Sequence, residues 1–215
     1  MGNPNWFLFS FVSVLFCMVR YMKKLKRKLV WDPLVRIFHW LLVVCFLVAY
    51  ILEDEMLNLH LLAGSIVLGL LIFRLIWGVV GTQYSLFSEF PCSFRDVIQH
   101  LRGLIHLHPS HHTGHTPTGG VMIFLLLAGL LMLTASGVLL YSIENSAVPF
   151  SRLMAEVDLD TILLIEKLHG LIADLLAFSV LFHIAGVLVE SVLQKQNLIR
   201  AMVTGYKKRR SVYDL

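Results

Sequence analysis

The segment that decides the fold runs from Thr161 to Leu193 and reads TILLIEKLHGLIADLLAFSVLFHIAGVLVESVL. It is longer than the roughly 20 apolar residues that a helix needs to cross a bilayer. It also carries two histidines, His169 and His183, fourteen positions apart. On a helix this spacing is about 21 Å along the axis and returns to within about 40° of the same face. Two imidazoles on one face of a membrane helix are costly, so the pattern indicates that they have a function.

Composition extends this interpretation to the whole chain. Of its 215 residues, 57% are hydrophobic and 15% are charged, and the mean hydropathy is +0.76. A soluble domain of this length has no core large enough for so many apolar side chains. We therefore predict an all-α integral membrane protein built as a four-helix bundle. The three cysteines include no CxxC motif, so neither a disulfide framework nor a zinc site is indicated. The net charge of +4 is explained by basic residues that orient the chain in the membrane. We therefore expect contact with membrane lipid and no nucleic-acid partner.

Four apolar segments are long enough to span a bilayer, and a polar connection separates the second from the third. The predicted spans are residues 35–52, 60–80, 119–141 and 161–193. The connection, residues 81–118, contains a predicted short amphipathic helix at about 94–107. It also holds six histidines, which indicate either a metal-binding tract or a solvated, flexible loop, and we favour the loop. These are His100, His106, His108, His111, His112 and His115.

An apolar segment at residues 6–19 precedes the first firm span and is too short to cross a membrane comfortably. A basic run follows it, whereas a secretory signal places its positive residues first. Three interpretations remain: an additional short N-terminal apolar helix, an interfacial segment, or sequence upstream of a natural start at Met22. The expected organisation is an N-terminal segment with its basic run (residues 1–28), a membrane domain (29–208) and a cytoplasmic tail (209–215).

Lysines and arginines set the expected orientation. Seven lie in residues 20–36 and six follow Leu193. The loop at residues 53–58 has none, and the loop at residues 142–160 has one, Arg152. By the positive-inside rule, the N- and C-termini of the four-helix unit face the cytoplasm and the two acidic loops face outward.

This topology assigns a depth to each membrane histidine. His39 lies at the cytoplasmic start of the first span, and His60 lies at the outer start of the second. The fourth helix enters from outside, so His169 lies in the outer leaflet and His183 in the inner one. The first span raises the chain by about 20 Å, which matches the drop between the last two histidines. Two pairs at matched heights are therefore predicted: His39 with His183, and His60 with His169.

Each pair offers both axial ligands to one haem iron. An iron with imidazoles on both sides has no open position for oxygen and transfers electrons. Zinc requires three or four protein ligands in one cluster, whereas these histidines lie at two heights. A buried proton relay that includes Asp174 and Glu190 is the alternative. We favour Asp174 as a partner that orients a ligand histidine, and Glu190 as a residue of the cytoplasmic rim.

Two arginines lie near the inner-leaflet pair. Arg36 precedes His39 by three positions, and Arg74 lies near the cytoplasmic end of the second span. Their guanidinium groups are predicted to bind the propionates of the inner haem. The alternative is that both side chains extend to lipid phosphates.

Five stretches of the sequence carry the motifs of a known family, and the resemblance extends over about residues 29–208. They are VWDPLVRIFHW (30–40), FRLIWGVVG (73–81), GHTPTGG (114–120), KLHGLIADLL (167–176) and LFHIAGVLVESVLQKQNLIRAMVTG (181–205). They resemble the prokaryotic cytochrome b561 family, which is similar to the b-type cytochrome subunits of nickel–iron hydrogenases and formate dehydrogenases. The chain departs from the family pattern at Thr116, where asparagine is more usual, and at Asp174, where asparagine is common.

The resemblance implies a bacterial inner-membrane bundle with two haem b groups and electron exchange with quinone. His39, His60, His169 and His183 match the family's ligand positions. The expected function is a di-haem b-type cytochrome that carries single electrons between the quinone pool and a partner. The partner is a periplasmic c-type cytochrome or a dehydrogenase or hydrogenase module. Superoxide:quinone oxidoreductase activity is the alternative within the family, and a haem-free proton channel or transporter is the alternative from another class. No catalytic residue is predicted.

Overall fold

The computed structural model describes residues 27–52, 56–90, 93–107, 114–144 and 157–208. It is an all-α bundle with one small ribbon. The expected N-terminal apolar helix and the tail at residues 209–215 lie outside the described residues. The elements in chain order are β1 (Arg27–Leu29), α1 (Pro33–Ile51), α2 (Leu57–Val80), α3 (Phe94–Ile105), α4 (Pro117–Glu144), α5 (Leu159–Leu193), α6 (Leu198–Thr204) and β2 (Tyr206–Lys208), with two 3₁₀ turns at Gln83–Ser85 and Phe87–Glu89.

Four helices are long and apolar enough to cross a membrane among the residues that the structure describes: α1, α2, α4 and α5. Their mean hydropathy lies between 2.2 and 2.5, and no more than 22% of each apolar segment is buried inside the bundle. A helix that is apolar on all sides is stable in lipid, because exposing so much apolar surface to water is unfavourable. The four predicted spans are therefore confirmed as helices, and α3 confirms the short amphipathic helix that was predicted in the connection.

The bundle consists of two helical hairpins. Helix α1 packs mainly on α2, α4 packs mainly on α5, and contacts between α2 and α4 join the hairpins. The shared core contains Cys45, Val67, Leu130 and Leu176. Gly129 of α4 allows close approach of α5, because a Cβ there would lie 2.7 Å from Leu176 Cδ2. Helices α1 and α5 make few direct contacts, so a gap remains between the hairpins on that side.

The antiparallel ribbon formed by β1 and β2 ties the two ends of the described chain together. The backbone N–H groups of Val30 and Trp31 donate to the carbonyl oxygen of Gly205, at 2.8 and 3.1 Å. Gly205 has φ +85°, and a Cβ there would lie 2.6 Å from the Trp31 carbonyl oxygen, so glycine is required. We call this side of the bundle, which also holds residues 81–107 and 114–116, the ribbon end.

Asp32 connects three elements at the ribbon end. Its Oδ1 accepts a hydrogen bond from the N–H of Val35 at 3.0 Å, which caps helix α1. Its Oδ2 accepts from Thr82 Oγ1 at 2.6 Å and from Trp77 Nε1 at 3.3 Å. Burial alone would raise the pKa of Asp32, but the hydrogen bonds from Thr82, Val35 and Trp77 outweigh it and lower the pKa. The carboxylate is therefore a structural anion that fixes the start of α1 against the end of α2.

Replacing Asp32 with alanine should lower the free energy of unfolding by about 1–2 kcal/mol, because α1 loses its cap and Thr82 loses its acceptor. Thermal unfolding in detergent measures this change.

A carboxyl group whose pKa is lowered by folding stabilises the protein above its unfolded pKa, and this contribution is lost as the pH falls through the lowered value. The difference between the two proteins should therefore shrink in acid. Asp160→Ala is the control, since Asp160 is an exposed acidic residue in the first turn of α5. Equal losses in both variants would contradict this role.

Candidate functional site

The four membrane histidines lie in two pairs that bridge the hairpins. We call His39 of α1 and His183 of α5 the ribbon-end pair, and His60 of α2 and His169 of α5 the far pair. The ring centroids are 6.5 Å apart in the ribbon-end pair and 6.1 Å apart in the far pair. Two imidazoles that bind one metal ion from opposite sides, each at about 2 Å, have centroids about 6 Å apart. The spacing of both pairs therefore suits one metal centre each.

Hydrogen bonds fix the rings of the far pair. Nδ1 of His60 lies 2.9 Å from the carbonyl oxygen of Ala49, so this nitrogen carries the proton. Ser136 Oγ donates to the Leu133 carbonyl oxygen at 2.9 Å. It therefore accepts from Nδ1 of His169, which is also 2.9 Å away. With Nδ1 protonated, each Nε2 keeps a free lone pair for a metal ion.

Asp174 does not hold a histidine, so that interpretation of the sequence was wrong. The residue that orients His169 is Ser136 on α4. Asp174 instead accepts a hydrogen bond from the Tyr50 hydroxyl at 2.9 Å, across the gap between α5 and α1. This role of Ser136 could not be predicted from the sequence, because its partner His169 lies 33 positions away.

The ribbon-end pair contains a buried polar atom that lacks a partner. Nδ1 of His39 is buried and forms no hydrogen bond with any residue that the structure describes. The neighbouring Trp40 ring lies 5.2 Å away, edge to face. A buried ring nitrogen without a hydrogen-bond partner is costly unless a ligand or a polar group occupies the space beside it.

Open space lies beside both pairs. A Cβ added at Gly64, Gly170 or Gly186 would meet nothing within 4 Å. Gly64 lies one turn after His60, Gly170 follows His169, and Gly186 lies one turn after His183. Small residues near the histidines therefore leave the space beside them free of other described protein atoms, as a flat group between the helices would require. Gly69 is equally open but lies on the opposite face of α2 from His60.

Both predicted arginines lie at the ribbon end, where each binds a backbone carbonyl. Arg74 is only 4% exposed. Its Nη1 donates to the Ser85 carbonyl oxygen at 3.1 Å, and its guanidinium lies 4.6 Å from the centre of the Phe87 ring. The Nη1 of Arg36 donates to the Val203 carbonyl oxygen at 2.7 Å, while its Nε is buried without a partner among the described residues. Neither guanidinium group therefore extends freely toward lipid.

Two histidines of the polar connection pack inside the ribbon end: His100 is buried on the predicted amphipathic helix, and His115 is half-buried, so the predicted solvated loop is wrong at His115. His100 of α3 is only 1% exposed, and its Nδ1 lies 3.0 Å from Thr118 Oγ1. The ring of His115 packs between Trp31 at 4.6 Å and Phe90 at 4.2 Å. Burial, together with the nearby charges of Lys207 and Arg74, lowers the pKa of His115 to about 3. It is therefore a neutral core residue of the ribbon end.

Lys207 completes the packing around His115. Its Nζ donates to the Gly114 carbonyl oxygen at 2.9 Å and lies 5.3 Å from the centre of the Trp31 ring. Burial lowers the pKa of Lys207 to about 8, although Glu190 acts in the opposite direction. Strand β2 is thus attached to the loop before α4 by a buried cation, which the sequence suggested only as part of a basic tail.

The comparisons with known proteins agree with this geometry. The family model described as prokaryotic cytochrome b561 matches residues 30–205, which include all four membrane helices and both histidine pairs. No curated protein and no solved structure matches the chain. Members of this family bind haem b and act as b-type cytochromes in membrane electron transfer. With its four membrane helices, the chain belongs to the prokaryotic cytochrome b561 family and is a multi-pass membrane protein of this electron-transfer class.

Proposed function

We propose that this protein is a di-haem b-type cytochrome that carries single electrons between the quinone pool and a redox partner. The ribbon-end pair, His39 and His183, would hold one haem, and the far pair, His60 and His169, would hold the other. The observation that carries the proposal is the spacing of 6.5 and 6.1 Å between the paired rings. Among the described residues no group of three or more His, Cys, Asp or Glu side chains could hold a metal ion. A group that brings its own equatorial donors, as a porphyrin does, fits such two-histidine sites.

Haem b supplies reversible one-electron redox chemistry when it is bound. The protein's part is to orient the ligands and to exclude other reactions. Ala49 and Ser136 keep Nδ1 protonated on His60 and His169, so Nε2 faces the metal position. A haem held by two histidines would leave oxygen no open coordination position and would supply reversible one-electron transfer.

The two pairs lie fourteen residues apart on α5, which is about 21 Å along the helix axis. Leu176 lies midway and is only 3% exposed, so apolar packing separates the two sites and excludes water. Two redox sites stacked in this way connect the two faces of the membrane. The lysines and arginines of the ribbon end support a cytoplasmic location for that end by the positive-inside rule.

Arg36 and Arg74 suit the propionates of the ribbon-end haem. Arg74 is buried and one of its nitrogens binds Ser85, while the Nε of Arg36 is a buried donor that still lacks an acceptor. A buried cation of this kind is stabilised by a carboxylate. The acidic loops at the other end would favour a cationic partner such as a c-type cytochrome.

Difference spectra of the purified protein, reduced minus oxidised, test the proposal. We expect a sharp b-type band, two haems per chain, and two steps in a redox titration. Re-oxidation of the reduced protein by a soluble quinone analogue tests the link to the quinone pool. A folded but colourless protein would instead favour the proton channel or transporter, and one haem per chain would contradict the di-haem assignment.

A further inference from the structure

A stripe of four residues at seven-residue intervals runs along the inward face of α5: His169, Leu176, His183 and Glu190. Seven residues are nearly two helical turns, so these side chains share one face. Glu190 therefore lies about 10 Å beyond His183 along the axis, toward the ribbon end. Glu190 thus lies in line with the two histidine pairs, and the proposed electron transfer does not require it.

Glu190 is not a rim residue, which corrects the interpretation favoured from the sequence. Its Oε1 accepts hydrogen bonds from Thr116 Oγ1 at 2.8 Å and from Thr118 Oγ1 at 3.4 Å. Its Oε2 lies 3.5 Å from Gln194 Nε2. Nε2 of His100 lies 4.0 Å from Oε1. The carboxylate thus belongs to a cluster built by α3, the start of α4 and the end of α5.

The hydrogen bonds define where a proton can be held. Thr118 Oγ1 lies 3.0 Å from Nδ1 of His100 and 3.4 Å from Glu190 Oε1, so this hydroxyl joins the two side chains. The other ring nitrogen, Nε2, then faces the carboxylate. A proton that binds at Nε2, or between Nε2 and Oε1, converts a pair with net charge −1 into a neutral one. Because the pair is buried, this change of charge interacts more strongly with neighbouring groups than it would in water.

Among the titratable groups around the pair, His115 and Asp32 keep their charge state at neutral pH, and Lys207 loses its charge only near pH 8. Lys207 of β2 interacts electrostatically with Glu190 and is held by Gly114. Lys207 and Arg74 in turn act on His115, which stays neutral, and Asp32 is fixed as an anion by Thr82 and Trp77. Within the described ribbon end, the Glu190–His100 pair is thus a histidine and a carboxylate that share one hydrogen-bonded site.

We propose that Glu190 and His100 form a redox-linked proton site, which binds a proton from the cytoplasmic side when the ribbon-end site gains an electron. The inference rests on the proposed function, because it requires a redox centre at His39 and His183. One electron enters from an external donor, a quinol or a chemical reductant, and one proton enters from water onto the pair. When the electron leaves, the proton returns to water. No bond to the metal centre forms or breaks, and the site stays close to electroneutral.

The expected size follows from Coulomb's law. At an effective dielectric constant of about 20, one electron about 12 Å away changes proton affinity roughly tenfold. For a one-electron couple a tenfold change corresponds to about 59 mV. Because reduction raises the proton affinity, the midpoint potential is higher in acid and falls as the pH rises. The ribbon-end centre should therefore lose about 59 mV across the titration of the pair.

Spectroelectrochemical titration of the haem-loaded protein between about pH 5 and 9 tests this. In wild type, the midpoint potential of one centre should be higher at low pH than at high pH. This difference should be at least about threefold smaller in Glu190→Gln and in His100→Asn. His100→Asn provides a second variant should Glu190→Gln fold poorly. Asp160→Asn is the matched control, since Asp160 lies at the opposite end of the same helix and is exposed. As a second readout, wild-type protein in weak buffer should take up protons on reduction, and the Glu190 variant should take up fewer.

The outcomes separate the two proposals. Two normal haem bands with the same pH dependence in wild type, Glu190→Gln and His100→Asn would overturn the proton site and leave the di-haem function standing. A protein without a b-type band would overturn the proposed function, and the proton site with it. Loss of the pH dependence in Asp160→Asn as well would also contradict the assignment to this pair.

Discussion

Replacing His183 with alanine should remove one haem and leave the other in place, so roughly half of the b-type absorbance should be lost. The ribbon-end pair would lose one of its two axial ligands, and the remaining imidazole of His39 lacks a second hydrogen-bond partner to hold it. The far pair lies about 21 Å away along α5 and keeps both of its ring contacts. Haem content per chain and a redox titration of the purified variant measure the effect.

The pairing makes this prediction specific. His39→Ala should remove the same haem as His183→Ala, and the double variant should lose no more than either single one. His60→Ala and His169→Ala should remove the other haem, with the other midpoint potential. Both haems at full occupancy in His183→Ala, or both absent while the protein stays folded, would contradict the proposed ligand pairs.

The spans and the approach of the histidine pairs were predictable because each depends on a regular repeat. A bilayer requires about 20 apolar residues per helix, and a helix advances 1.5 Å per residue. With the orientation assumed from basic residues, those two numbers alone assign a height to each histidine. The structure indeed brings His39 near His183 and His60 near His169. Their role as haem ligands remains a prediction.

The ribbon end could not be predicted in the same way, because its contacts join residues that are far apart in the sequence. His100 and Glu190 are brought together by the docking of the amphipathic helix α3 against the end of α5. The Asp32–Thr82 bond spans 50 positions. Neither contact follows a helical or strand period, so no repeat in the sequence signals it. One clue was available: Glu190 continues the seven-residue spacing of His169 and His183, and that spacing already placed it on the inward face.

Filling the open space beside the far pair should displace its haem without unfolding the chain. A leucine at Gly64 would meet no polypeptide atom within 4 Å of its Cβ. It would instead occupy the slot one turn from His60, on the same face of α2. Overfilling a packed site costs about 1–3 kcal/mol, or roughly five- to hundredfold in haem affinity. We therefore expect Gly64→Leu to lose most of one haem while its far-ultraviolet circular dichroism and expression in membranes remain normal.

The same helix provides the control. Gly69 is also open around its Cβ, but it lies about 180° from His60 and faces away from the pair. Gly69→Leu adds the same side chain to the same helix and should leave both haems at full occupancy. If Gly64→Leu also kept both haems, the space beside His60 would not be the haem slot, and the spacing of the far pair would need another explanation. Equal losses in the two variants would point to a general defect of α2, because only a slot on the histidine face distinguishes one glycine from the other.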